Sequence, residues 1–115
     1  MNKQVLMQYN IEFYKGVEGI KFLNSESNWL STYLYIYRDV DTLTDFINDL
    51  DLAINDNFNQ IIDPDWSSRM GEYWNAHITS LGFEIWQNGT EKTTIPLIDM
   101  REILISWKEF LEPGG

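Results

Sequence analysis

Between Asp41 and Asn55 the apolar residues Leu43, Phe46, Ile47, Leu50 and Ile54 recur at i, i+3, i+4, i+7 and i+11. Helical geometry brings that spacing onto one face, so the segment predicts an amphipathic helix. Such a helix must bury its stripe against another element. Asp41 is placed to cap the first turn, Asp45 sits near the positive helix N-terminus, and Asn55–Asn57 supplies the end. The outward face carries Asp45 and Asp49 one turn apart, with no Lys or Arg four residues on. A helix selected for stability alone would more often interleave bases there.

The acid continues past the helix. The stretch DLDLAINDNFNQIIDPDW, Asp49 to Trp66, holds Asp49, Asp51, Asp56, Asp63 and Asp65 and no Lys or Arg. Residues 39–65 carry eight Asp and no base, whereas residues 1–38 sum to +1 and residues 66–115 to −3, within a formal net charge of −10. The excess therefore belongs to one region. Its field costs self-repulsion, repels nucleic acid and favours a basic partner.

The remainder of the chain supplies an α+β pattern. Val5, Met7, Tyr9, Ile11 and Phe13 alternate with mostly polar neighbours and predict a half-buried strand. Lys15–Gly19 predicts a turn, Ile20–Leu23 a short returning strand, and Asn24–Ser27 a loop or cap. Residues 28–40 fit either periodicity. Trp29, Leu30, Tyr33, Leu34 and Tyr37 suit a helix, and the alternating tyrosines suit a strand; the balance favours a helix from Ser27 to about Ile36. Asn57–Gly71 predicts a loop with a short strand at Gln60–Ile62. Trp74, Ala76 and Ile78, then Phe83 and Ile85, then Thr93–Leu97 predict an antiparallel meander around an Asn88-Gly89 turn. Met100, Ile103, Leu104, Trp107, Phe110 and Leu111 form the stripe of a last helix, Asp99–Glu112, stopped by Pro113.

The expected architecture is one domain over residues 1–115. It has an antiparallel sheet of about four to five strands with two or three amphipathic helices packed on it, the C-terminal one included. Aromatic residues at 15% argue for a folded chain, since disorder depletes them. No apolar run approaches the ~20 residues of a bilayer span, and Gln8, Asn10 and Glu12 interrupt any signal-peptide core. With no Cys, disulfides and thiolate metal sites are excluded, which fits a reducing, cytoplasmic setting.

Nucleophilic catalysis has little support, and although Asp and Glu are plentiful enough for paired-carboxylate chemistry, nothing in the sequence places two of them in a pocket with different environments. The sole His, His77, alternates with Trp74, Ala76 and Ile78 and so points away from their face, without an oriented partner in the pattern. Asp49 and Asp51 match the opening of a calcium-binding loop. Its sixth position would then be Ile54 where Gly is needed, and its twelfth Gln60 where Glu is needed. No phosphate-binding glycine motif is present. The expectation is a binding protein, not an enzyme, with no cofactor, metal, small-molecule substrate, nucleic acid or membrane as ligand.

Trp29, Trp74 and Trp107 lie on apolar stripes and read as core; Trp86 borders the Asn88-Gly89 turn. Trp66 differs, standing in the polar stretch DPDWSSRMG beside Asp63, Asp65 and Arg69. A tryptophan ringed by acids has the composition of a binding anchor. The candidate docking face is therefore Asp45, Asp49, Asp51, Asp56, Asp63 and Asp65, with Trp66 at its centre.

In size and acidity the chain resembles the small immunity proteins of bacterial toxin–immunity systems, including those of contact-dependent inhibition. The resemblance is carried by the helix DTLTDFINDLDLAI and by the ending IPLIDMREILISWKEFLE, a strand running into a Trp-bearing terminal helix. It implies a cytoplasmic protein that binds a cognate toxin, often a nuclease, one to one. The partner face of such a toxin would be basic. An acidic module of another kind, such as a nucleic-acid mimic or a regulatory adaptor, shares these electrostatics and is the alternative.

Overall fold

Asn2 decides the first element. Its side-chain oxygen accepts a hydrogen bond from the Val5 N–H at 3.2 Å and caps helix α1, Lys3–Gln8. The strand expected from Val5 to Phe13 is thus a strand only from Ile11 onward. Val5 and Leu6 are adjacent and both buried while Met7 is 76% exposed, a pattern one and a half helical turns produce and a strand does not. Asn10, at φ 52°, turns the chain out of α1 into β1, Ile11–Lys15.

The computed structural model describes residues 2–25, 28–68 and 73–113. They fall into two compact units, Met1–Thr44 with Glu102–Gly115, and Asp45–Arg101. Among the described residues the fold is α+β, with four helices and two antiparallel sheets of two and three strands. The single sheet of four to five strands expected from the alternating patterns is not formed. Alternation identifies which face of a strand is buried but not its neighbours.

In the first unit β1 pairs antiparallel with β2, Lys21–Ser25, in a register that sets Phe13 opposite Leu23. Gly16 in the connection lets the Phe22 ring approach closely: a Cβ there would lie 2.4 Å from it, so the ring would have to shift. Helix α2 spans Asn28–Leu34, the favoured reading of that region; Ser27 and the Trp29 side chain lie outside what is described. Helix α3, Val40–Ile54, starts here, and its cap is Asp39 in place of the expected Asp41. The Asp39 carboxylate accepts from the Thr42 hydroxyl at 2.8 Å and the Thr42 N–H at 3.1 Å, which hold it below the usual carboxylate range. The last ten residues of helix α4, Leu97–Leu111, complete this core. Trp107 is fully buried, donates its indole N–H to the Tyr37 carbonyl at 2.9 Å, and meets Phe13 with ring centroids 5.5 Å apart.

The second unit contains the rest of α3 and the meander β3, Asn75–Ile78; β4, Phe83–Trp86; and β5, Thr93–Ile95. Ala76, Ile78, Phe83, Ile85 and Ile95 are buried on one face with Phe46, Leu50 and Met100. His77 lies on the other face, as the alternation requires. Gly89, at φ 82°, occupies the third position of the Gln87–Thr90 turn, closed by Thr90 N–H to the Gln87 carbonyl at 3.0 Å. The end of α3 is a Schellman motif. Asn57 N–H reaches the Leu52 carbonyl at 2.7 Å, Asp56 N–H reaches that of Ala53 at 3.3 Å, and Asp56 takes the left-handed conformation at φ 60°. The short strand expected at Gln60–Ile62 is absent, and Phe58–Gln60 forms a 3-10 turn instead.

Candidate functional site

The site lies wholly within the second unit. Helix periodicity places Asp45, Asn48, Asp49 and Leu52 on one stripe of α3, beside the buried stripe of Phe46, Ile47 and Leu50. The chain returning from the Phe58–Gln60 turn supplies the facing wall with Gln60, Ile62, Asp63, Asp65 and Trp66. Together these residues line an open groove of about 490 Å³.

The wall is held by backbone pairing. Residues 64–68 run antiparallel along the outer edge of β3. Trp66 N–H donates to the Ala76 carbonyl at 2.7 Å, Ile78 N–H to that of Pro64 at 3.0 Å, and Ser68 and Trp74 exchange both bonds at 2.8 and 3.1 Å. Pro64, with no N–H, offers only its carbonyl. The Ala76 N–H turns to the Ser67 hydroxyl at 3.0 Å. That register explains the side chains. Trp66 stands opposite Ala76 and so shares its buried face, while Asp65 stands opposite His77 on the outer one.

Trp66 is half-buried and fixed. Its ring stacks on Phe46 with centroids 4.2 Å apart and planes 9° from parallel. Its indole N–H donates to Asp49 Oδ2 at 3.2 Å. Burial pushes the Asp49 carboxyl above its ordinary value; the Trp66 hydrogen bond works against this, and the charges of Asp45 and Asp63 add to it. The groove therefore holds its charges at an electrostatic cost.

Of the seven residues chosen from the sequence, five meet at this groove: Asp45, Asp49, Asp63, Asp65 and Trp66. Asp45 and Asp63 are exposed. Asp63 accepts the Asp65 N–H at 3.0 Å, which shapes the bend before the wall. The Asp65 carboxylate accepts the Ser67 N–H at 2.9 Å and lies 3.6 Å from His77 Nε2. Asp51 turns elsewhere and forms an ion pair with Arg101 at the start of α4. Asp56 sits exposed at the helix end and is not among the lining residues.

Comparison with protein-family models, with curated proteins and with solved structures finds no match.

Four lining residues escape a charge-based reading. Leu52 and Ile62 add apolar surface next to Trp66, and Ile62 is fully exposed. Asn48 and Gln60 add uncharged polar groups. An isoleucine followed directly by Asp-Pro-Asp is the only sequence signal that could have marked Ile62. Among the described lining residues none is Lys or Arg, and Arg69 lies outside the described residues. Among the described residues no group of three or more potential ligands is arranged to hold a metal ion. No described helix is long and apolar enough to cross a membrane.

Proposed function

We propose that the protein is an immunity protein that neutralises a cognate bacterial toxin domain by docking this groove on a basic surface of the toxin. It acts as a stoichiometric inhibitor in the cytoplasm, not as a catalyst. One observation carries the reading. Four aspartates, of which Asp65 turns its carboxylate toward His77, and an immobilised tryptophan line a single groove whose described lining contains no base. A nuclease site must attract phosphate and is therefore basic, so a rigid set of carboxylates both steers to it and occludes it. Steering of this kind raises association rates to about 10⁸ M⁻¹s⁻¹ or more at low salt. A desolvated aromatic then slows dissociation.

The test is capture from the source cell with this protein as bait, at low and then high salt, followed by expression of the captured protein alone. The expected partner is basic, binds one to one, is toxic by itself and is rescued by co-expression of this chain. Joint substitution Asp45→Asn, Asp49→Asn and Asp63→Asn should weaken that complex more than tenfold at low salt and abolish rescue. A captured partner that is not toxic, or full rescue by the triple variant, overturns the proposal.

A further inference from the structure

The Gln87–Thr90 turn that follows β4 carries chemistry of its own. We propose that Asn88-Gly89 is a self-modification site, at which Asn88 loses its amide as ammonia and becomes aspartate or isoaspartate, with water as the only co-reactant. The inference is independent of what the groove binds. The step is an attack by the main chain. The Gly89 nitrogen bonds to Asn88 Cγ, the Cγ–Nδ2 bond breaks, and the proton of the Gly89 N–H leaves with the amide group as ammonia. The product is a cyclic imide, which water then opens. Cleavage between the Gly89 nitrogen and Cγ gives aspartate. Cleavage between that nitrogen and the main-chain carbonyl carbon of residue 88 gives isoaspartate. Nothing is oxidised or reduced.

Three observations select Asn88 from the ten asparagines of the chain. It alone is followed by glycine, so no side chain stands beside the attacking nitrogen and the peptide can rotate toward Cγ. The site is also open: Asn88, Gly89 and Thr90 are exposed, and a Cβ built on Gly89 would meet nothing within 4 Å. The ring has room to form and water has access. Finally, the hydrogen bonds leave the reacting groups available. The turn is closed one residue later, by Thr90 N–H to the Gln87 carbonyl. Among the described residues neither the Gly89 N–H nor the Asn88 amide nitrogen is hydrogen-bonded. The bond that the Asn88 side chain does make is to its oxygen: Asn75 Nδ2 donates to Asn88 Oδ1 at 3.0 Å. That bond polarises the Cγ–Oδ1 carbonyl in the sense the attack requires, since negative charge gathers on Oδ1. Elsewhere the geometry is against reaction. Asn48 lies inside α3, and Asn24 lies in β2 with its Oδ1 accepting the Ser25 N–H at 3.1 Å. Conversion of Asn88 adds one negative charge to a chain of formal net charge −10. Isoaspartate also inserts a carbon into the main chain between Gln87 and Thr90, so the 3.0 Å bond that closes the turn is lost.

The test incubates the full folded chain at neutral and at mildly alkaline pH. Conversion is followed by peptide mass mapping, by labelling with an isoaspartate-specific carboxyl methyltransferase, and by NMR of the side-chain amides. Asn88 should convert before any other asparagine, with loss of its amide signal and appearance of the methyl label. The rate should rise with pH, because hydroxide removes the proton from the attacking N–H. Gly89→Ala should slow conversion at least about threefold, because a Cβ narrows the conformations open to the attacking peptide. Asn88→Gln, at an exposed position that leaves the core untouched, should abolish the label. Another asparagine converting first, an unchanged rate in Gly89→Ala, or a label that persists in Asn88→Gln overturns the proposal. So does an Asn88 that stays intact in the folded chain while a short peptide of residues 86–91 converts.

Discussion

Trp66→Phe separates the two ties that fix the groove's aromatic. Phenylalanine keeps a ring over Phe46 but loses the indole N–H that reaches Asp49 at 3.2 Å. A hydrogen bond to an ionised acceptor contributes ~1.5–3 kcal/mol when buried. This one is long and partly exposed, which brings the expected loss to about 1 kcal/mol. Trp66→Ala also removes the ring contact, ~0.5–1.5 kcal/mol, and about 1–2 kcal/mol of half-buried apolar surface. Its total is therefore about 2.5–4.5 kcal/mol. Trp66→Phe deletes the hydrogen bond that lowers the Asp49 titration while a ring still covers the carboxyl, so that titration should move further up in this variant. Urea unfolding followed by far-UV circular dichroism at pH 7 measures the first effect. A carboxyl-carbon NMR titration measures the second. If Trp66→Phe costs as much as Trp66→Ala, the stacking contributes nothing. If the Asp49 titration stays in place, the indole is not its partner in solution.

Three further outcomes follow from the same geometry. The raised Asp49 titration means that its charge opposes folding at neutral pH, and that this penalty is relieved as pH falls through the folded-state value; Asp49→Asn should remove that pH dependence, seen as a flatter stability curve on the acid side. Asp56→Gly should stabilise the chain by about 0.5–1 kcal/mol, a rise of ~2–4 °C in Tm, because it frees a left-handed position of its side chain and removes a negative charge from a helix C-terminus. Gly82→Ala should cost about 2–3 kcal/mol in urea unfolding, since Gly82 sits at φ 153° and a Cβ would lie 2.9 Å from the Ile95 carbonyl oxygen.

The elements most legible in the sequence were those whose period runs long enough to exclude the alternative. Leu43 to Ile54 spans three helical turns, and Met100 to Leu111 as many; α3 and α4 lie within a residue or two of expectation. Helix α1 is hidden in the sequence because Val5, Met7 and Tyr9 alternate over a segment too short to separate a period of two from one of 3.6. The deciding residue, Asn2, acts through a cap and not through hydropathy. The division of the strands into two sheets was hidden for another reason: pairing depends on connection geometry as well as on burial.

Within the site, charge placement was legible because α3 presents Asp45 and Asp49 by simple periodicity. The exclusion of Asp51 was not. Its partner Arg101 is fifty residues away, and a tally of charge along a segment is blind to such pairs. The orientation of Trp66 was equally hidden, because it follows from pairing with Ala76.

The placement of residues 64–68 on the flank of β3 also bears on how the protein behaves at high concentration. Exposed strand edges invite pairing between molecules, and folded chains survive by shortening or covering them. Here one flank of the three-stranded sheet is already occupied. The other is β5, three residues long and followed at once by Pro96, which has no N–H to offer a neighbour. The groove wall thus guards against aggregation while it shapes a binding surface, so a substitution that loosens it would be expected to expose a strand edge as well as to weaken binding.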